Sequence, residues 1–200
     1  MRISFQAFLS PLLFIGLAGF VLMFGGCSGT DKPVEGEIRL NSMFDADFDL
    51  VDHDEQSASD ERFEGKPMLI YFGFTACPDI CPAALGNMTA TLDRLGPDAE
   101  HIHALFITVD PERDTPTRLK NHLAYDPRIL GLTGSDEALT AARDALNVYA
   151  AKVPLPDSAM EYTMDHQRLF YLTDASGMPV VAAPDATAPE QLEKIIRRHL

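Results

Sequence analysis

The chain has 200 residues, of which 46% are hydrophobic and 23% charged, a balance that fits one packed domain and excludes an extended disordered chain. Sixteen Lys and Arg against 30 Asp and Glu give a net charge of −14, and no Lys/Arg cluster interrupts the acidic composition. Nucleic acid is a poor partner for such a chain, because phosphate binding needs concentrated positive charge.

Residues 8–26 form a run of 19 without a charge, preceded by Arg2 and followed by Asp31. A run of this length meets a membrane, and a basic residue before it with an acidic residue after it is the order that exports the downstream chain. It ends in Gly25-Gly26-Cys27-Ser28, which resembles a bacterial lipoprotein cleavage site, although Phe24 stands where Leu, Val or Ile is usual. Residues 1–27 therefore read as a signal peptide, a lipoprotein signal or a retained membrane anchor, and residues 28–41, with Pro33, as a tether. Each alternative places a domain of residues 42–200 in the cell envelope, facing the periplasm.

Between residues 42 and 64, apolar residues alternating with Asp predict strands near Phe44–Leu50. Met68–Phe74, after the turn at Gly65-Lys66-Pro67, is a continuous apolar run of the kind that forms a strand buried on both faces. From Pro82, the residues Leu85, Met88, Leu92 and Leu95 fall on one helical face, and Gly96-Pro97 stops the helix. His103–Val109 reads as a second buried strand, and Thr115-Pro116 as the cap and first residue of a helix running to about Tyr125. Ile129–Leu132 is a short strand; Ser135 caps a helix carrying Leu139, Ala142, Leu146 and Tyr149.

Residues 152–166, with Pro154 and Pro156, read as a long loop. Leu169–Thr173 and Met178–Ala182 flank Asp174-Ala175-Ser176-Gly177, the composition of a hairpin turn. Thr187 and Glu190 read as a capping box opening a last helix, with Leu192, Ile195 and Ile196 inward and Arg197 and Arg198 near its end. This alternation predicts an α/β fold: a mixed sheet flanked by helices.

The chemistry concentrates at Cys77-Pro78-Asp79-Ile80-Cys81-Pro82, where a buried strand passes into a helix. Four positions separate the two cysteines. Residues so spaced on a helix lie about 6 Å apart, near enough to form a disulfide or to hold one metal ion, so the spacing serves two chemistries. Orphan N–H groups at a helix start stabilise thiolates, and the thiolate is both nucleophile and ligand. The plainer alternative is an inert structural pair. Of six histidines, His166 stands out, in Met164-Asp165-His166-Gln167 ahead of an apolar strand. His101 and His103 read as surface or core residues, and His53, His122 and His199 have no companion ligand in sequence.

Three segments then acquire a joint meaning. GFTACPDICP at 73–82, VDPERDTP at 109–116, and Asp165-His166 followed by an apolar strand to Leu172 resemble, in order, the Sco (SenC) family of copper-binding assembly proteins. The resemblance spans about residues 44–200 and includes Phe63-Glu64-Gly65-Lys66-Pro67; Ala76 and Ala83 depart from residues frequent in relatives. It implies a thioredoxin-like fold in which Cys77, Cys81 and His166 bind copper, with an N-terminal membrane attachment. It also implies a function: a metallochaperone that delivers copper to the binuclear copper site of cytochrome c oxidase. Partners would be the copper-bearing oxidase subunit and a periplasmic copper donor or thioredoxin-like reductase.

Two thiolates and one imidazole form a soft, low-coordinate set suited to Cu(I), and Cu(II) would accept a further oxygen or nitrogen ligand. Met160 and Met164 read as loop packing or soft auxiliary contacts, Asp165 as a group that orients the imidazole, and Asp79 as a helix cap or a group that tunes the sulfurs' charge. Asp110, Glu112, Arg113 and Asp114 read as a structured loop near the site or a partner face. The competing function is a thiol-disulfide oxidoreductase in which Cys77 attacks and Cys81 resolves the mixed disulfide. A peroxiredoxin is disfavoured because Phe74, not Thr, stands three residues before Cys77.

Overall fold

A computed structural model describes residues 33–200; the apolar run 8–26, Cys27 and the first residues of the expected tether lie outside it. Among the described residues no helix is long and apolar enough to cross a membrane.

Met68–Gly73 forms β4 at the centre of an eight-stranded sheet, with all six residues buried, as its unbroken apolar sequence requires. The sheet order is β1-β10-β9-β4-β5-β6-β2-β3, formed by Ile38–Arg39 (β1), Asp49–Asp52 (β2), Ser57–Ser59 (β3), His103–Thr108 (β5), Ile129–Thr133 (β6), Leu169–Thr173 (β9) and Pro179–Pro184 (β10). β4, β5 and β6 run parallel, linked through helices; β9 lies antiparallel on the other side of β4. Helices α1 (Ile80–Leu95), α2 (Pro116–Leu123), α3 (Asp136–Ala145) and α4 (Pro189–Ile196) flank this mixed sheet in a thioredoxin-like arrangement. α1 and α4 pack on each other, and α2 packs on β6.

Local chemistry accounts for most boundaries. The Thr115 and Ser135 side chains accept from the Arg118 and Ala138 N–H groups, capping α2 and α3 as expected. Asp174 Oδ1 accepts from the N–H groups of Ser176 and Met178 and holds the β9–β10 turn, where Gly177 takes a positive φ of 86°.

Five expectations need correction. Residues 152–166 are no loop: Ala150–Pro154 (β7) and Tyr162–His166 (β8) pair as a separate antiparallel ribbon. Pro154 ends β7 on a two-stranded ribbon, where a missing N–H is tolerated, so it marks a strand end, not a break. The last helix has no capping box, because Ala188 occupies the cap position and Thr187 turns inward. α3 stops at Ala145, which leaves Tyr149 exposed ahead of β7. In the 42–64 region the strands fall at β2 and β3, while Ala46 and Phe48 are buried outside any strand. The expected tether also contributes to the domain: Ile38 and Arg39 pair with Ala182 and Val181 at the sheet edge.

Candidate metal centre

β4 delivers its C-terminal end at Gly73, and the chain crosses Phe74–Asp79 before α1 begins at Ile80. Cys81 is thus the second residue of the helix and Cys77 lies before its start, so the two cysteines do not share a helical face as the spacing alone would suggest. Their relation is closer than a shared face: the Cys81 N–H donates to Cys77 Sγ at 3.3 Å. Asp79 holds the cap position without a side-chain bond. The Cys77 sulfur therefore takes up an orphan N–H that a capping oxygen would ordinarily satisfy.

Cys77 is half-buried and Cys81 fully buried, both as free thiols. Burial pushes the Cys81 thiol far above its ordinary range; a hydrogen bond from the Phe74 backbone works against that shift without overcoming it. His166, the last residue of β8, is also buried. Its Nε2 lies 3.7 Å from Cys81 Sγ and its Nδ1 lies 3.0 Å from the Gln167 carbonyl. A carbonyl only accepts, so this network assigns the ring proton to Nδ1 and leaves the Nε2 lone pair facing the sulfur. Burial depresses the imidazole pKa and keeps the ring neutral. The rings of Tyr71 and Phe74 hold it edge-on, with centroids at 6.1 and 5.9 Å.

The donor set fits a soft metal ion. Bonds of about 2.3 Å to sulfur and about 2.0 Å to nitrogen span the observed separation when the angle at the metal is about 120°. Among the described residues no three His, Cys, Asp or Glu side chains stand as a ready-made cluster. Cys77 lines a cavity of about 170 Å³ that opens over His166, together with Phe74, Asp79, Met164, Asp165 and Arg168.

Asp165 is exposed and contributes to the cavity wall, not to the ring's hydrogen bonds, which the Gln167 carbonyl takes instead. Met164 also lines the cavity, whereas Met160 sits in the β7–β8 turn, its N–H bonded to Ser158. His103 opens β5 against the Phe63 ring, and His53 accepts from the Gly131 N–H on β6.

The SCO1/SenC family model matches residues 36–200. The chain belongs to the SCO1/SenC family. A SCO2-like protein of Rickettsia conorii is 33% identical over 189 residues, covering 92% of each chain. The mitochondrial SCO2 homolog of Mus musculus is 36% identical over 82% of this chain and 65% of its own. Among solved structures, copper-bound ScoI of Bradyrhizobium japonicum matches with TM-score 0.72 at 40% identity, over 78% of this chain and 99% of that one. Yeast Sco1 matches with TM-score 0.72 at 34% identity, over 78% and 97%.

This Sco chain carries site residues that sequence reasoning passes over. Asp185, 5% exposed, accepts from Arg168 at 2.9 and 3.2 Å and from the Tyr71 hydroxyl at 3.3 Å. A polar chain thus runs inward from the surface guanidinium of Arg168 through Asp185 to the Tyr71 hydroxyl. The one sequence signal for it was Tyr71 itself, a hydroxyl in a buried apolar strand, which needs a polar partner. Nothing in sequence points to Asp185 as that partner.

Proposed function

We propose that this protein is a copper metallochaperone that holds copper through Cys77, Cys81 and His166 and delivers it to the binuclear copper site of cytochrome c oxidase during assembly. The observation that carries this reading is the 3.7 Å approach of a neutral imidazole nitrogen, lone pair inward, to a buried thiol. Cys77, which lines the same cavity as His166, would supply the second sulfur. The relative from Bradyrhizobium japonicum was solved with copper bound, at 40% identity. Each sulfur enters the complex as thiolate, its proton passing to solvent. Transfer proceeds by ligand exchange, the receiving protein's thiolates or imidazoles replacing these three in turn at the open cavity, with no change in electron count. Residues 1–27 would attach the domain to the envelope membrane on its periplasmic side.

Copper titration of the reduced full chain in detergent should saturate at about one ion per chain. Retention of wild-type affinity by the Cys77→Ser, Cys81→Ser double variant would defeat the reading.

A second reading rests on a separate observation: Cys77 is the accessible sulfur and Cys81 the buried one, the asymmetry of an attacking and a resolving cysteine. In that case the protein reduces the disulfide of a copper-receiving protein, becoming oxidised itself, and His166 only shapes the site. His166→Ala separates the two: the chaperone loses copper affinity, whereas the reductase keeps its dithiol exchange and its function in oxidase assembly.

A further inference from the structure

The loop between β5 and α2 supplies no ligand, yet it grips both segments that do. Asp114 is fully buried. Its carboxylate accepts from the Thr75 N–H at 2.9 Å, from the Thr75 hydroxyl at 2.5 Å and from the Thr108 hydroxyl at 2.7 Å. Thr75 stands two residues before Cys77, so these bonds anchor the sulfur-bearing segment.

Arg113, the next residue back, reaches the other way. Its Nε pairs with Asp110, its Nη1 donates to the Tyr162 carbonyl at 3.2 Å, and its guanidinium carbon lies 3.8 Å from the centroid of the Tyr162 ring. Tyr162 opens β8, the strand that ends in His166. The Tyr162 hydroxyl donates to Asp110 at 2.8 Å, and Lys152 of β7, paired with Glu112, lies over the same ring at 4.2 Å. The same guanidinium lies 5.9 Å from the Phe74 ring, which itself meets His166 edge-on at 89°. Arg113 Nη2 is buried without a hydrogen-bond partner among the described residues, a desolvation cost that an arginine free to face water would not carry.

The ribbon that carries His166 shares no strand pairing with the main sheet. A two-stranded ribbon alone is marginal, so side chains must set where it lies. Only Ala150 and Met164 of the ribbon's apolar residues pack against the core beside His166. The Arg113 cluster is its polar tie.

We propose that Arg113 is the positioning residue for His166: it clamps the β7–β8 ribbon at Tyr162 and so sets the distance from the imidazole to the sulfurs, while adjacent Asp114 holds the cysteine segment. One short loop thereby acts as the spacer between two halves of a site that are far apart in sequence. The inference deepens the proposed ligand set and rests on it for its consequence in copper binding, but the placement itself is measurable without metal.

The test uses the full chain in detergent, reduced, as wild type, Arg113→Ala and Tyr162→Leu. NMR of the metal-free protein reads the His166 ring protons, which the Tyr71 and Phe74 rings shift in the wild type. Copper titration and the dithiol midpoint potential complete the comparison. Arg113→Ala is expected to move the His166 signals toward those of a free histidine and to lower copper affinity about 10- to 100-fold, as loss of a ligand-orienting group does. The Cys77–Cys81 potential should stay at its wild-type value. Tyr162→Leu, with Arg113 intact, should give the same pattern and decides the matter if the arginine variant does not fold. Wild-type His166 signals in the folded variants would overturn the proposal, even if copper affinity fell. Displaced His166 signals in a chain whose wild type binds no copper would instead uphold the positioning role and defeat the proposed function.

Discussion

His166 Nε2 and Cys81 Sγ stand 3.7 Å apart across 85 residues of sequence, and both groups are held in their neutral forms. In the metal-free protein the thiol proton lies between them. A metal bound to both must take that proton's place.

Copper uptake should therefore release the Cys81 proton at neutral pH. Because burial raises this thiol far above its ordinary range, the proton is present throughout the physiological window. Apparent affinity should strengthen about tenfold per pH unit for each proton displaced. Calorimetry in buffers of different ionisation enthalpy counts these protons, and metal binding without proton release would contradict the assignment of Cys81 as a ligand.

The same two shifts shape the stability of the metal-free, reduced protein, with opposite signs. The Cys81 thiol is raised from a reference of 9.0, so its contribution is complete below about pH 9 and is lost as pH rises and the unfolded chain ionises first. The imidazole of His166 is lowered from 6.5, so its contribution is complete above about pH 6.5 and is lost as pH falls and the unfolded chain is protonated first. Each limb should slope by up to about 1.4 kcal/mol per pH unit. Urea unfolding against pH should show the alkaline limb flattened in Cys81→Ala and the acid limb flattened in His166→Ala. Unchanged slopes would assign the limbs to other groups.

Tyr71→Phe should weaken the site without emptying it. The phenol hydroxyl donates to Asp185, which keeps both Arg168 bonds, and would turn its one proton to the Cys81 sulfur when that sulfur ionises. We expect a stability loss of about 1 kcal/mol and slower alkylation of Cys81 at a fixed alkaline pH, read by mass spectrometry. Faster alkylation would mean that the hydroxyl restrains the sulfur instead of assisting its ionisation.

Gly73→Ala tests the packing beneath the cysteine segment. A Cβ there would lie 2.7 Å from Phe106 Cε2 and 3.1 Å from the Tyr71 ring, inside a sheet whose strands leave little room to shift. The expected cost is about 1–3 kcal/mol in denaturant unfolding, with copper affinity reduced because Tyr71 is displaced. Wild-type values for both would show that the Phe106 ring yields freely.

Local patterns carried much of the fold. β4 and β5 were legible because a strand buried on both faces needs an unbroken apolar run, and Thr115 and Ser135 announced α2 and α3 because a side-chain oxygen satisfies the first helical N–H. The β7–β8 ribbon was not legible. Pro154 and Pro156 read as breakers, and whether a proline interrupts a strand or ends it depends on whether a neighbouring strand needs its N–H. Thr187 and Glu190 had the composition of a capping box, yet the chain turned one residue later, placing Ala188 at the cap.

At the site, Cys77 and Cys81 were legible as a candidate pair, because cysteines four apart at a strand-to-helix junction stay close in space whatever the rest of the chain does. The sequence also marked His166 as the histidine to watch, through the family's motif. Tertiary packing alone brings the imidazole to Cys81, sets Arg168 and Asp185 beside Tyr71, and ties the segments of Thr75 and Tyr162 to Asp114 and Arg113 of one loop. These contacts depend on strand order and register in the sheet, where a shift of a single residue turns every side chain to the opposite face, and no local pattern encodes that choice.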